Sequence, residues 1–172
     1  MRRNILYVTE AEEKVLISKL IRLIQGSYPE LNPHNTLVIM VSPDYSATVA
    51  MHVAHGLSKD GEMCDILPIH VAYPDEYVEP YLTKAIKDIE AWFEFSDTPY
   101  ENYLLVEAGV IRGSTYIWLT NLLKLKLRGN IITSSLYENI GSKFKSDIVA
   151  EYYDDTTEDL TFYYERENKH WT

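Results

Sequence analysis

The chain has 172 residues, 46% of them hydrophobic and 24% charged, with a formal net charge of −10. That balance suits one globular domain over residues 1–172 with a core of ordinary size. It argues against a nucleic-acid partner, which needs a concentrated basic face, and no apolar run is long enough to make a membrane the partner.

Cys64 is the one cysteine, so no internal disulfide is expected and a reducing, cytoplasmic setting fits. Arg2 and Arg3 precede no long apolar stretch, so no signal peptide is expected. Fourteen tyrosines against four phenylalanines imply half-buried rings with wetted hydroxyls, common in pockets and interfaces.

In chain order, Ile5 to Val8 is a short apolar run followed by Thr9-Glu10-Ala11-Glu12, which has the spacing of a helix capping box. The helix behind it predicts an apolar stripe of Leu16, Leu20, Leu23 and Ile24, widened by Val15 and Ile17 and stopped at Gly26 and Pro29. After an Asn32 to Asn35 turn, Thr36 to Val41 is a continuous apolar run, as for a strand covered on both faces. Ser42 to Ser46 reads as a loop and Ala47 to Leu57 as a helix. His52 and His55 share a face of that helix but lack further ligands, so they read as surface histidines and no metal site is expected. Cys64 to Ala72 predicts another strand, with Pro68 favouring an edge and His70 near its end. Within Tyr73 to Glu101, the residues Ala85, Ile86, Ile89, Trp92 and Phe93 mark the apolar face of a helix. That face reads as packed on the sheet or a partner subunit rather than as a lid.

Tyr103 to Val106 then predicts a buried strand ending on Glu107, with a loop from Ala108 and a helix from Tyr116 to Leu127. A parallel strand, a glycine-containing loop and a helix N-terminus make an anion site, because unpaired N–H groups and the helix dipole converge there. The loop's two glycines, Gly109 and Gly113, let backbone approach a ligand, while Ser114 and Thr115 add hydroxyls. Glu107 stands where it can reach ribose hydroxyls or a hydrated divalent ion. The P-loop spacing and its lysine are missing, as is the G-x-G-x-x-G of dinucleotide sites. Asn130 to Leu136 is the next strand. Alternating strands and helices give an α/β class: a parallel open sheet flanked by helices, Rossmann-like, with its ligand crevice at the carboxyl ends of the strands.

The stretch from Tyr103 to Thr115 resembles, without a gap, the signature of the type I phosphoribosyltransferases: four apolar residues, two acids, an apolar-led stretch and T-G-G-T. Glu107 matches the first acid, Val110 the apolar stretch, Gly113 a glycine and Thr115 the last threonine. Ala108 replaces the second acid, Ile111 stands where purine-salvage members often keep a general base, and Arg112 and Ser114 replace a threonine and a glycine. The capped first helix is similar to the family's opening. Ser146 to Glu151 resembles its base-stacking segment, and Leu160 to Glu165 its terminal "wivFPWE", with Tyr163 for proline and Tyr164 for tryptophan.

The resemblance implies a purine or xanthine-hypoxanthine type transferase that joins phosphoribosyl pyrophosphate to a nucleobase, with Mg2+ carried on the ligand's pyrophosphate. It implies Glu107 as the catalytic-site carboxylate, Arg112, Gly113, Ser114 and Thr115 around the 5′-phosphate, and Ile148 and Tyr152 walling the base. It also implies a homodimer and leaves Lys143 or Lys145 as substitutes for a base-reading lysine. The missing acid and base, and Asp44 in the loop where the family binds pyrophosphate, open a second reading. In that reading the catalyst has lapsed and serves as a nucleotide-binding or partner-binding module. An unrelated flavodoxin-like binder is a third.

Overall fold

Runs that read as apolar in the sequence become interior strands in the computed structural model, which describes residues 4–41, 43–71, 78–95 and 100–162. The elements are β1 (Asn4–Val8), α1 (Glu10–Ser27), β2 (Thr36–Val41), α2 (Pro43–Gly56), β3 (Asp65–Ile69), α3 (Val78–Phe95), β4 (Asn102–Val110), α4 (Ser114–Lys126), β5 (Asn130–Asn139), β6 (Ile148–Tyr153) and β7 (Glu158–Phe162). Expectations placed on Ser42, on residues 72–77, on the side chains of Asp44, Glu79 and Pro80, and on Tyr163, Tyr164 and Glu165 lie outside the described residues.

β3, β2, β4, β5 and β6 form, in that order, a five-stranded sheet in which every pairing is parallel. All of β2 is buried, which explains its unbroken hydrophobicity. One face packs on α1 and α2 through Ile17, Leu20, Ile24, Val49 and Val53. The other packs on α3 and α4 through Ala85, Ile89, Tyr116, Leu119 and Leu123. The expected apolar face of α3 is therefore packed on the sheet. A second, two-stranded parallel sheet joins β1 to β7, pairing Asn4 with Glu158 and Val8 with Phe162. None of the described helices is long and apolar enough to cross a membrane.

The capping box forms as expected: the Glu12 N–H donates to Thr9 Oγ1 at 3.2 Å and the Thr9 N–H to Glu12 Oε2 at 2.9 Å. The buried stripe of α1 is rotated from the expected one. It runs through Glu13, Ile17, Leu20 and Ile24, while Val15 and Leu23 face outward. Beside that stripe α1 meets α2 closely, since a Cβ on Gly56 would lie 2.7 Å from Ile21 Cγ2. Leu16 and Ile21 are partly buried against the same core. The boundaries of four elements also move. α2 starts at Pro43 rather than Ala47, β3 is confined to Asp65–Ile69, and β4 and β5 run on to Val110 and Asn139.

Candidate functional site

From β2 the chain passes to β3 on one side and then returns to β4 on the other side of β2. The strand order reverses between β2 and β4, and in open parallel sheets the ligand crevice lies outside the carboxyl ends at such a reversal. Here those ends are Val41, the start of α2, and the last residues of β4.

β4 does not end at Glu107. Gly109 and Val110 continue in register with Tyr137 and Glu138 of β5. Side chains do not alternate cleanly across this extension. Ala108 is fully buried in the α1/α2 cluster, and a Cβ on Gly109 would meet Leu160 and Phe162 on that same side, at 3.5 and 3.8 Å. Val110 returns to the α3/α4 side. Leu136 and Tyr137 break alternation at the same level of β5, so the neighbouring strands bend together. The amide of Ala108 donates to Ser46 Oγ at 3.0 Å, inside the protein. The expected Ala108 to Thr115 bend thus contracts to residues 111–113 and the first turn of α4.

That first turn is open. Gly113 is the N-cap, left-handed at φ 78°, and offers no side chain to the helix; no acid lies in the first turn. The Ile117 N–H donates to Gly113 O at 3.0 Å and begins the helical ladder. The N–H groups of Ser114, Thr115 and Tyr116 have no backbone or side-chain acceptor among the described residues. Ser114 is exposed, Thr115 half-buried and Arg112 exposed. Tyr116 fixes this end of the helix to the sheet: its hydroxyl donates to Ser134 O at 2.6 Å and its ring meets Phe144 edge-on at 5.2 Å. A helix end of this kind carries positive potential, and no acid lies in its own first turn.

Glu107 lies beside it, paired in register with Ser135. Burial pushes its carboxyl up to about 8, so at neutral pH it is mostly protonated and can donate as well as accept. The Tyr116 phenol is raised well above its usual range, first by burial and then by Glu107, Glu138 and Asp147. No group of three or more His, Cys, Asp or Glu that could hold a metal occurs among the described residues.

No family model matches the sequence, and no curated protein matches it. Solved structures do match. A hypothetical protein from Neisseria gonorrhoeae with bound ppGpp superposes with TM-score 0.68 at 12% identity, covering 98% of this chain and 96% of that one. The Helicobacter pylori xanthine-guanine-hypoxanthine phosphoribosyltransferase gives 0.64 at 12% identity over 95% of both chains. A Leishmania tarentolae HGPRT-ase in complex with GMP gives 0.60 at 18% identity, covering 86% of this chain and 79% of that one. The fold is that of the type I phosphoribosyltransferases.

Within this phosphoribosyltransferase fold, the structure gathers Glu107, Arg112, Gly113, Ser114 and Thr115 at the end of β4 and the start of α4. It separates the other two candidates. Ile148 is buried in the α1/α2 cluster, whereas Tyr152 is exposed and pairs in register with Glu138. Lys145 bonds to Ile140 O at 3.0 Å and sits 3.5 Å from Glu138 Oε1, and Lys143 is exposed. His52 and His55 are exposed, in keeping with surface histidines.

Ala108, which replaces the family's second acid in the sequence, is fully buried in the core. Ala108→Asp would bury an unpaired charge and is expected to cost about 3–5 kcal/mol of stability. The readout is a lower urea midpoint with no gain in ligand affinity. The sequence reading missed Ser46 and Asn139, which hold the site's backbone through contacts distant in sequence. Only their small polar side chains beside strand ends hinted at the role.

Proposed function

We propose that this protein binds a ribose 5′-phosphate compound, a purine nucleoside monophosphate or phosphoribosyl pyrophosphate, in the crevice at the end of β4. The open first turn of α4 carries the proposal. Its amides, the hydroxyls of Ser114 and Thr115 and the guanidinium of Arg112 take the phosphate, with Gly113 allowing close approach. Glu107 takes the ribose hydroxyls, and Tyr152 offers an exposed ring to the base, while Ile148, buried in the core, is left out of the base wall. The ppGpp and GMP carried by two structural relatives are ligands of the same chemical class.

Binding without turnover fits the site better than transfer. One acid of the expected pair is a core alanine, and burial raises the carboxyl of the other well above its ordinary range. Transfer of a phosphoribosyl group to a purine-type base is the second reading, favoured by the likeness to the Helicobacter pylori enzyme. In that case Mg2+ on the ligand's pyrophosphate would supply charge neutralisation as that group leaves.

Calorimetric titration with GMP, and with phosphoribosyl pyrophosphate plus Mg2+, followed by a pyrophosphate-release assay over guanine, hypoxanthine and xanthine, tests both. Binding with no release is expected. Release would establish the transferase, and no binding of either ligand would remove both readings. Arg112→Ala should weaken GMP binding by about tenfold, the scale of one charge-assisted contact. Unchanged affinity would take Arg112 out of the site.

A further inference from the structure

We propose that Asn139 is a positioning residue that turns the backbone of residues 111–113 so that its N–H groups, not its carbonyls, face the phosphate. This rests on the binding reading above and adds what makes that site selective for an anion. Asn139 closes β5 and is buried at 3% exposure. Its side chain reaches three segments at once. Nδ2 donates to Ile111 O at 3.1 Å, and Oδ1 accepts from the N–H of Gly141 at 3.0 Å and of Asp155 at 3.3 Å. Two N–H donors on the oxygen and a carbonyl on the nitrogen fix which way the amide points.

The next peptide is held by the same turn, since the Lys143 N–H donates to Arg112 O at 3.3 Å. Trans peptides carry C=O and N–H in opposite directions, and no cis bond occurs among the described residues. With the carbonyls of Ile111 and Arg112 both drawn to the turn, the N–H groups of Arg112 and Gly113 project away from it. The turn also closes on Gly113 itself: a Cβ there would lie 2.4 Å from Phe144 Cβ and 2.6 Å from Ser142 Oγ. A flip of either peptide would place a carbonyl oxygen against the ligand's anion.

Asn139→Asp tests this with little change of shape. It keeps the acceptor for Gly141 and Asp155 but sets an oxygen against Ile111 O. The expected result is about tenfold weaker GMP binding. Affinity for guanosine, which lacks the phosphate, should stay unchanged, both read by ligand-observed NMR. Unchanged GMP affinity, or equal losses for GMP and guanosine, would overturn the positioning role. If the unaltered protein binds no GMP, the binding reading fails and the proposal with it. Amide exchange on the unaltered protein gives a check that needs no variant. The Lys143 amide should be protected without ligand, and those of Gly113, Ser114 and Thr115 only when GMP is added. A freely exchanging Lys143 amide would mean the brace does not form.

Discussion

Gly113→Ala is expected to abolish GMP binding and to lower stability by about 3 kcal/mol. The backbone part follows from the left-handed φ of 78°, which costs an L-residue with a Cβ about 1–2 kcal/mol. The packing part follows from what that Cβ would strike: Phe144 Cβ at 2.4 Å, Ser142 Oγ at 2.6 Å and the backbone N of Phe144 at 2.8 Å. Overpacking against a backbone atom adds about 1–3 kcal/mol, because only the loop can yield. The loop that moves is the one carrying the phosphate amides, so affinity and stability fall together. Thermal unfolding and a GMP titration measure the two effects. An alanine variant that binds GMP like the parent would show that the phosphate does not sit on this turn.

Glu107→Gln is expected to act in the opposite sense on stability. The carboxyl has an ordinary value of 4.5 and is raised to about 8 in the fold, so the native state holds a proton that the unfolded chain releases. The stability this contributes is fully present below 4.5 and is lost as pH rises through 8. At pH 7 the ionisable side chain therefore costs the native state about 3 kcal/mol at most, and access to solvent at the rim reduces that to roughly 2. The glutamine variant should unfold at higher urea than the parent at pH 7 to 8, and at the same urea near pH 4. Ligand affinity carries the same signature. GMP binding to the parent should weaken as pH rises past about 8, when Glu107 becomes an anion facing an anion, and the variant should not follow it. Parallel pH profiles for the two proteins would show that Glu107 does not face the ligand. A group that destabilises the fold at working pH is typical of a binding site held against its own stability.

Local signals were legible in the sequence, and tertiary ones were not. Thr9 and Glu12 specify their helix start through bonds three residues apart, so the capping box could be read from spacing. Thr36–Val41 could be read as a doubly covered strand because every residue in it is buried. The parallel sheet, the placement of α3 and the juncture of β4 with α4 followed from the same periodicities.

The failures share one cause. Val15 and Leu23 are as apolar as Leu20, and only the sheet and helix that α1 meets in the fold decide which stripe turns inward. Nothing local says that Gly109 and Val110 stay in the ladder; their partners Tyr137 and Glu138 do. Ala108 occupies the family's acidic position in the sequence, yet the bend shared by β4 and β5 turns its side chain to the core, so a gapless alignment could not reveal its role.

The pairing of β1 with β7 has a kinetic meaning of its own. Asn4 finds its partner in Glu158, so β1 waits for a strand made much later in the chain before its edge is satisfied. Until then it offers an unsaturated ribbon to any passing chain. The central sheet, which needs neither strand, can be complete well before this closing zipper forms.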